Sequence, residues 1–132
     1  MDHFQHDRFG QDGVVFVMAS DDPAWCHEHF GDNDSVTILD DNMRNSDSLG
    51  VGGDTGTSAA AAATVAALDL AVLSMTDHMI LTVGTFGYWA AYLSGGEVVY
   101  YKDAILLNHP TNANQIQLED YYPSTWIGIS DG

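Results

Sequence analysis

Gly84, Thr85, Phe86 and Gly87 follow the apolar run 79–83 and precede the amphipathic stretch 88–94. A glycine-containing turn between a strand and a helix leaves several backbone N–H groups without acceptors at the helix start. The helix dipole places about half a positive charge there. Such a turn holds a phosphate without any basic side chain, and the Thr85 hydroxyl adds a donor. The plainer reading is that strand-to-helix turns favour Gly and Thr for their own sake. No Walker lysine follows, and the spacing is not G-x-G-x-x-G. Ser20, Asp21 and Asp22 close the β-branched and apolar run 14–20. Asp21 and Asp22 can accept hydrogen bonds from sugar hydroxyls or a base, or one of them simply caps a helix. Asp69 interrupts an apolar helical stretch, where a carboxylate is costly unless paired. It either caps something locally or holds the N–H groups of a ligand.

The six histidines build no metal site. His27 and His29 stand two apart and leave a helix on different sides. His3 and His6 have no Cys or Glu at zinc spacing. No Ser-His-Asp or Cys-His order stands out. The single cysteine, Cys26, forms no internal disulfide and is expected to be buried beside Trp25.

These residues need elements to position them. Continuous apolar character predicts a strand over 14–20, covered on both faces. Asp22 and Pro23 then start a helix that runs to Phe30 and stops at Gly31. Further elements are a strand over 35–39, a helix over 64–75 and strands over 79–83 and 97–101. The helix over 64–75 carries Val65, Leu68, Val72 and Met75 on one face. The helix over 88–94 lies between the last two strands. Residues 102–132 read as loop. Residues 41–63 are rich in Asp, Ser and Gly before an alanine run, and read as a flexible insertion whose alanines can join the next helix. The alternation predicts an α/β fold with an open, mostly parallel sheet, in which ligands bind at the carboxyl ends of the strands.

The chain has 132 residues, and 45% of them are apolar, enough for one partial domain with a real core. Nineteen acids against three bases give a net charge of −16. That field disfavours nucleic acid and anionic membrane surfaces as partners. No signal peptide or membrane-spanning run is visible.

The block His78-Met79-Ile80-Leu81-Thr82-Val83-Gly84-Thr85-Phe86-Gly87-Tyr88-Trp89-Ala90-Ala91-Tyr92-Leu93-Ser94-Gly95-Gly96 closely resembles the C-terminal motif of the alpha-1,2-fucosyltransferases, glycosyltransferase family 11. Asp69-Leu70-Ala71, Trp25-Cys26 and Trp126-Ile127-Gly128-Ile129 support the resemblance in the same order along the chain. It implies a Rossmann-like C-terminal lobe of a GT-B type glycosyltransferase. It also implies inverting transfer of L-fucose from GDP-fucose to the 2-hydroxyl of a galactose-terminated glycan, with no metal or other cofactor required. Thr85, Phe86 and Gly87 would lie at the donor diphosphate, Asp69 at the guanine N–H groups, and Ser20, Asp21 and Asp22 in the same cleft. Trp89 would be a packing residue. The family's location would be the lumenal side of the Golgi membrane.

The family's His-x-Arg-Arg motif and signal anchor, which precede the matching region, have no counterpart here. The expectation is therefore a C-terminal fragment with little activity by itself. The rivals are a non-catalytic remnant of the same fold, and a sugar-nucleotide binder unrelated to fucose.

Overall fold

A computed structural model of the chain describes residues 13–40, 59–103 and 118–130. They form, in order, β1 (Phe16–Met18), α1 (Pro23–Phe30), β2 (Val36–Ile38), α2 (Ala59–Ser74), β3 (His78–Leu81), α3 (Thr85–Ser94), β4 (Glu97–Tyr101), α4 (Leu118–Tyr121) and β5 (Ile127–Ile129). The chain divides into two compact units, Met1–Asp69 and Leu70–Gly132. Each strand pairing among the described residues is parallel. The α/β expectation therefore holds, but the strands make two small sheets, β1–β2 and β3–β4–β5, instead of one. Alternation of strands and helices predicts parallel neighbours. It does not determine whether β2 and β3 pair across the long stretch that separates them.

In the first unit, the N–H of Phe16 donates to the Ser35 carbonyl at 2.7 Å, and that of Leu39 to Met18 at 2.8 Å. β1 is only half-buried, not covered on both faces as its apolar run suggested, because a two-stranded sheet offers little cover. α1 spans the predicted residues. Asp22 Oδ1 accepts from the Trp25 N–H at 3.0 Å, and Pro23 occupies the first turn, where its missing N–H costs nothing. Cys26 is buried, as expected.

α2 starts at Ala59, so part of the alanine run joins the helix. Residues 41–58 of the expected insertion lie outside the described residues. Among the α2 side chains that are described, Asp69 and Leu73, four apart, are buried, with Val65, Leu68 and Val72 half-buried. Met75 falls past the helix end and is 80% exposed, so the expected apolar face is one residue too long.

The second unit carries the larger core: Met79 and Leu81 of β3, Ala90 and Ala91 of α3, Val98 and Val99 of β4, and Tyr122. β3 begins one residue earlier than predicted, at His78, whose Nδ1 accepts from the Glu97 N–H at 3.2 Å. Residues 118–121 and 127–129, expected to be loop, form α4 and β5. β5 adds to β4 with Tyr100 opposite Gly128. A Cβ at Gly128 would come within 2.9 Å of the Tyr100 ring, so glycine is required there by close approach.

Candidate functional site

The strand-to-helix junction after β3 is tighter than the sequence suggested. Gly84 is the N-cap of α3, with φ 111° and ψ 156°, a conformation that side chains rarely adopt. Thr85, Phe86 and Gly87 do not precede the helix; they are its first turn. The first intrahelical bond runs from the Tyr88 N–H to the Gly84 carbonyl at 3.2 Å. Gly84 has no side chain to cap the helix, so the N–H groups of Thr85, Phe86 and Gly87 have no acceptor among the described residues. Thr85 and Phe86 are exposed. Because β3, β4 and β5 are parallel, this helix start shares the carboxyl edge of the sheet with the ends of β4 and β5. Three free amide donors and the positive end of a helix dipole at such an edge are the chemistry an anion would need.

Lys102, which the sequence reading passed over, follows β4 directly at this edge. Its N–H donates to the Ile129 carbonyl at 3.0 Å. Tyr100, two residues before it, pairs with Leu81, three residues before Gly84. Lys102 makes no ion pair among the described residues. Its relevance depends on strand register, and no local pattern in the sequence reveals that.

Gly87 and Gly84 differ in what they require. A Cβ at Gly87 would meet only Leu81 Cβ, at an ordinary 3.6 Å. Trp89, expected to pack, is 53% exposed. α3 turns its small residues Ala90 and Ala91 inward, which rotates Trp89 outward, where it meets Tyr88 and Tyr92 edge-on at 5.6 and 5.8 Å.

Behind the site, Tyr88, Tyr100, Tyr122 and Trp126 form an aromatic cluster. The closest pair is Tyr100 and Tyr122, with ring centroids 3.9 Å apart. The Tyr122 hydroxyl is buried with no hydrogen-bond partner among the described residues. Burial raises its pKa above the ordinary 10.0, and the neighbouring Tyr121 and Tyr100 add to the effect.

The other predicted residues belong to the first unit. Ser20 Oγ accepts from the Asp22 N–H at 3.0 Å, and Asp22 caps α1. Asp21 is exposed and makes no hydrogen bond or ion pair among the described residues. Asp69 is buried and is engaged by an interaction within the chain. His27 Nε2 meets Asp40 Oδ2 at 2.9 Å, and His29 Nδ1 meets the Trp25 carbonyl at 2.9 Å. Among the described residues, no group of three or more His, Cys, Asp or Glu side chains is placed to hold a metal ion.

The family model of glycosyl transferase family 11 matches residues 1–130. The chain belongs to that family. Among its relatives, galactoside 2-alpha-L-fucosyltransferase Sec1 of Mus musculus is 34% identical over 117 residues, covering 88% of this chain and 26% of the relative. Galactoside alpha-(1,2)-fucosyltransferase 2 of Sus scrofa is 32% identical over 115 residues, covering 87% of the chain and 28% of the relative. The chain thus spans little more than a quarter of the length of these relatives. No solved structure matches it. The glycosyl transferase family 11 match takes in both units, including the α3 turn and Lys102. No helix of the described residues is long and apolar enough to cross a membrane.

Proposed function

We propose that this chain is the donor-binding, GT-B type lobe of a galactoside α-1,2-fucosyltransferase. In this reading it binds GDP-fucose and serves inverting transfer of L-fucose to the 2-hydroxyl of a terminal galactose. The new bond joins the galactose oxygen to fucose C1 as the hydroxyl proton passes to a base and the bond from C1 to the diphosphate breaks. Negative charge then gathers on the departing GDP. The observation that carries the reading is the bare start of α3, where the N–H groups of Thr85, Phe86 and Gly87 lack acceptors at the carboxyl edge. Fixed donors of this kind stabilise charge as it develops, without reorganising. Lys102 adds the positive charge that main-chain donors alone supply only in part. In this reading no divalent metal is needed. The names of the relatives support the donor and acceptor classes, and residence in the Golgi lumen follows by the same analogy.

Calorimetric titration with GDP, GDP-fucose and UDP-galactose, with and without EDTA, tests the reading. The guanine nucleotides bind, UDP-galactose does not compete, and EDTA changes nothing. Equal binding of UDP-galactose and GDP would overturn the fucose assignment.

A further inference from the structure

Asn33, Asp34 and Ser35 form an Asn-x-Ser triplet whose middle residue is not proline, and no other Asn in the sequence stands two residues before a Ser or Thr. Such a triplet arises easily by chance, so its place in the fold decides what it can do. The chain leaves α1 at Phe30 and enters β2 at Val36. Between them the Asn33 N–H donates to the Phe30 carbonyl at 3.0 Å, and the Val36 N–H donates to the Asn33 carbonyl at 2.9 Å. Asn33 Oδ1 accepts from the Ser35 N–H at 3.0 Å. This Asx turn fixes the carboxamide through its oxygen alone. Asn33 is exposed, and its Nδ2 has no partner among the described residues. Because β1 and β2 are parallel, the turn lies at the amino edge of their sheet, opposite the edge that carries Ser20, Asp21 and Asp22.

We infer that Asn33 is the attachment site of an N-linked glycan. The co-substrate is an oligosaccharide carried on a lipid diphosphate, delivered by the oligosaccharide-transferring enzyme of the secretory lumen. Asn33 Nδ2 attacks C1 of the first sugar. The Nδ2–C1 bond forms as the bond from C1 to the diphosphate oxygen breaks, one amide proton passes to a base of that enzyme, and the lipid diphosphate leaves. The Ser35 hydroxyl is the group recognised two residues on. A bulky glycan needs open space on the folded chain, and an exposed turn with an unbonded Nδ2 supplies it. The hydrogen bond that shapes the turn survives attachment, because it uses only Oδ1. From the amino edge the glycan leaves the carboxyl edge of β1–β2 uncovered. The inference goes beyond the fucosyltransferase reading and takes from it only the lumenal compartment.

The test is expression of the whole chain behind a cleavable secretion signal in cultured animal cells, read by gel mobility and peptide mass spectrometry on cells and medium. The wild-type chain carries a single glycan. Peptide N-glycosidase removes it in one mobility step and leaves Asn33 deamidated. Asn33→Asp keeps the Oδ1 acceptor of the turn, and Ser35→Ala keeps its N–H donor, so both variants preserve the local fold. Each abolishes the mobility shift, whereas Ser35→Thr retains it. A wild-type chain whose signal has been cleaved but which carries no glycan overturns the inference, and so does a shift that survives Asn33→Asp. GDP titration of the same protein tests the donor reading separately. A glycosylated chain that binds no GDP contradicts that reading and leaves the attachment site standing.

Discussion

Gly84 and Gly87 stand three residues apart in one junction and answer to different demands. Gly84 holds a φ of 111°, and no neighbour crowds its missing Cβ, so its requirement is conformational. Gly84→Ala therefore costs about 1–3 kcal/mol of stability, read from chemical denaturation. Gly87 has an ordinary helical position with room for a methyl group. Gly87→Ala leaves stability unchanged or raises it by up to ~1 kcal/mol, yet it places a methyl group at the proposed diphosphate site. GDP affinity falls about tenfold, or ~1.4 kcal/mol, by calorimetry. Lys102→Ala lowers the same affinity, and Lys102→Arg retains most of it. A variant that loses GDP binding without losing stability separates the site from the fold. Tyr122 makes a different prediction. Its pKa is raised in the folded chain, so the unfolded chain ionises first as pH climbs. Stability present below about pH 10 is lost as pH rises toward the folded value. Tyr122→Phe removes both that loss and an unpartnered buried hydroxyl. It leaves the chain as stable at neutral pH, or more so by about 1 kcal/mol, and flattens the alkaline limb of the denaturation profile.

The elements show why local chemistry was legible and distant chemistry was not. α1 was readable because Ser20, Asp21, Asp22 and Pro23 form a helix start within four consecutive residues, and Asp22 does cap the helix. Asp22→Ala costs about 1 kcal/mol, whereas Asp22→Asn costs little, as thermal denaturation will show. β4 was readable because Val98–Tyr101 is β-branched and aromatic and a glycine pair stands before Glu97. β5 was not readable. It has three residues with a glycine in the middle, and its reason to exist is the β4 edge and the Tyr100 ring that covers Gly128. No sequence window contains that information. The same limit hid Lys102, which the register of β3 against β4 brings to the same edge of the sheet as the start of α3. The turn at 84–87 was half legible. Its glycines and threonine marked a helix start, but the placement of Thr85 inside the helix depends on the Gly84 backbone.

For the whole molecule, charge sets the conditions under which any measurement is made. Nineteen acids and three bases repel one another at low salt. The Debye length falls from about 30 Å at 0.01 M to about 10 Å at 0.1 M, so the midpoint of thermal unfolding rises over that range. The acids also work against a diphosphate, which makes a concentrated source of positive potential at the edge of β3–β4–β5 necessary for binding. In the proposed donor site that source is the start of α3 with Lys102. Family membership was legible from the motif running from His78 to Gly96, whereas the division into two sheets was not, because pairing is a property of the folded chain. Hydrogen exchange at the α3 start tests the central claim most directly. Without ligand, the amides of Thr85, Phe86 and Gly87 exchange quickly, and that of Tyr88, already bonded to Gly84, exchanges more slowly. Saturating GDP slows the first three by at least about tenfold, the mark of a bound acceptor worth ~1.4 kcal/mol. Unchanged exchange at all three, with GDP demonstrably bound, would place the diphosphate elsewhere and contradict the account.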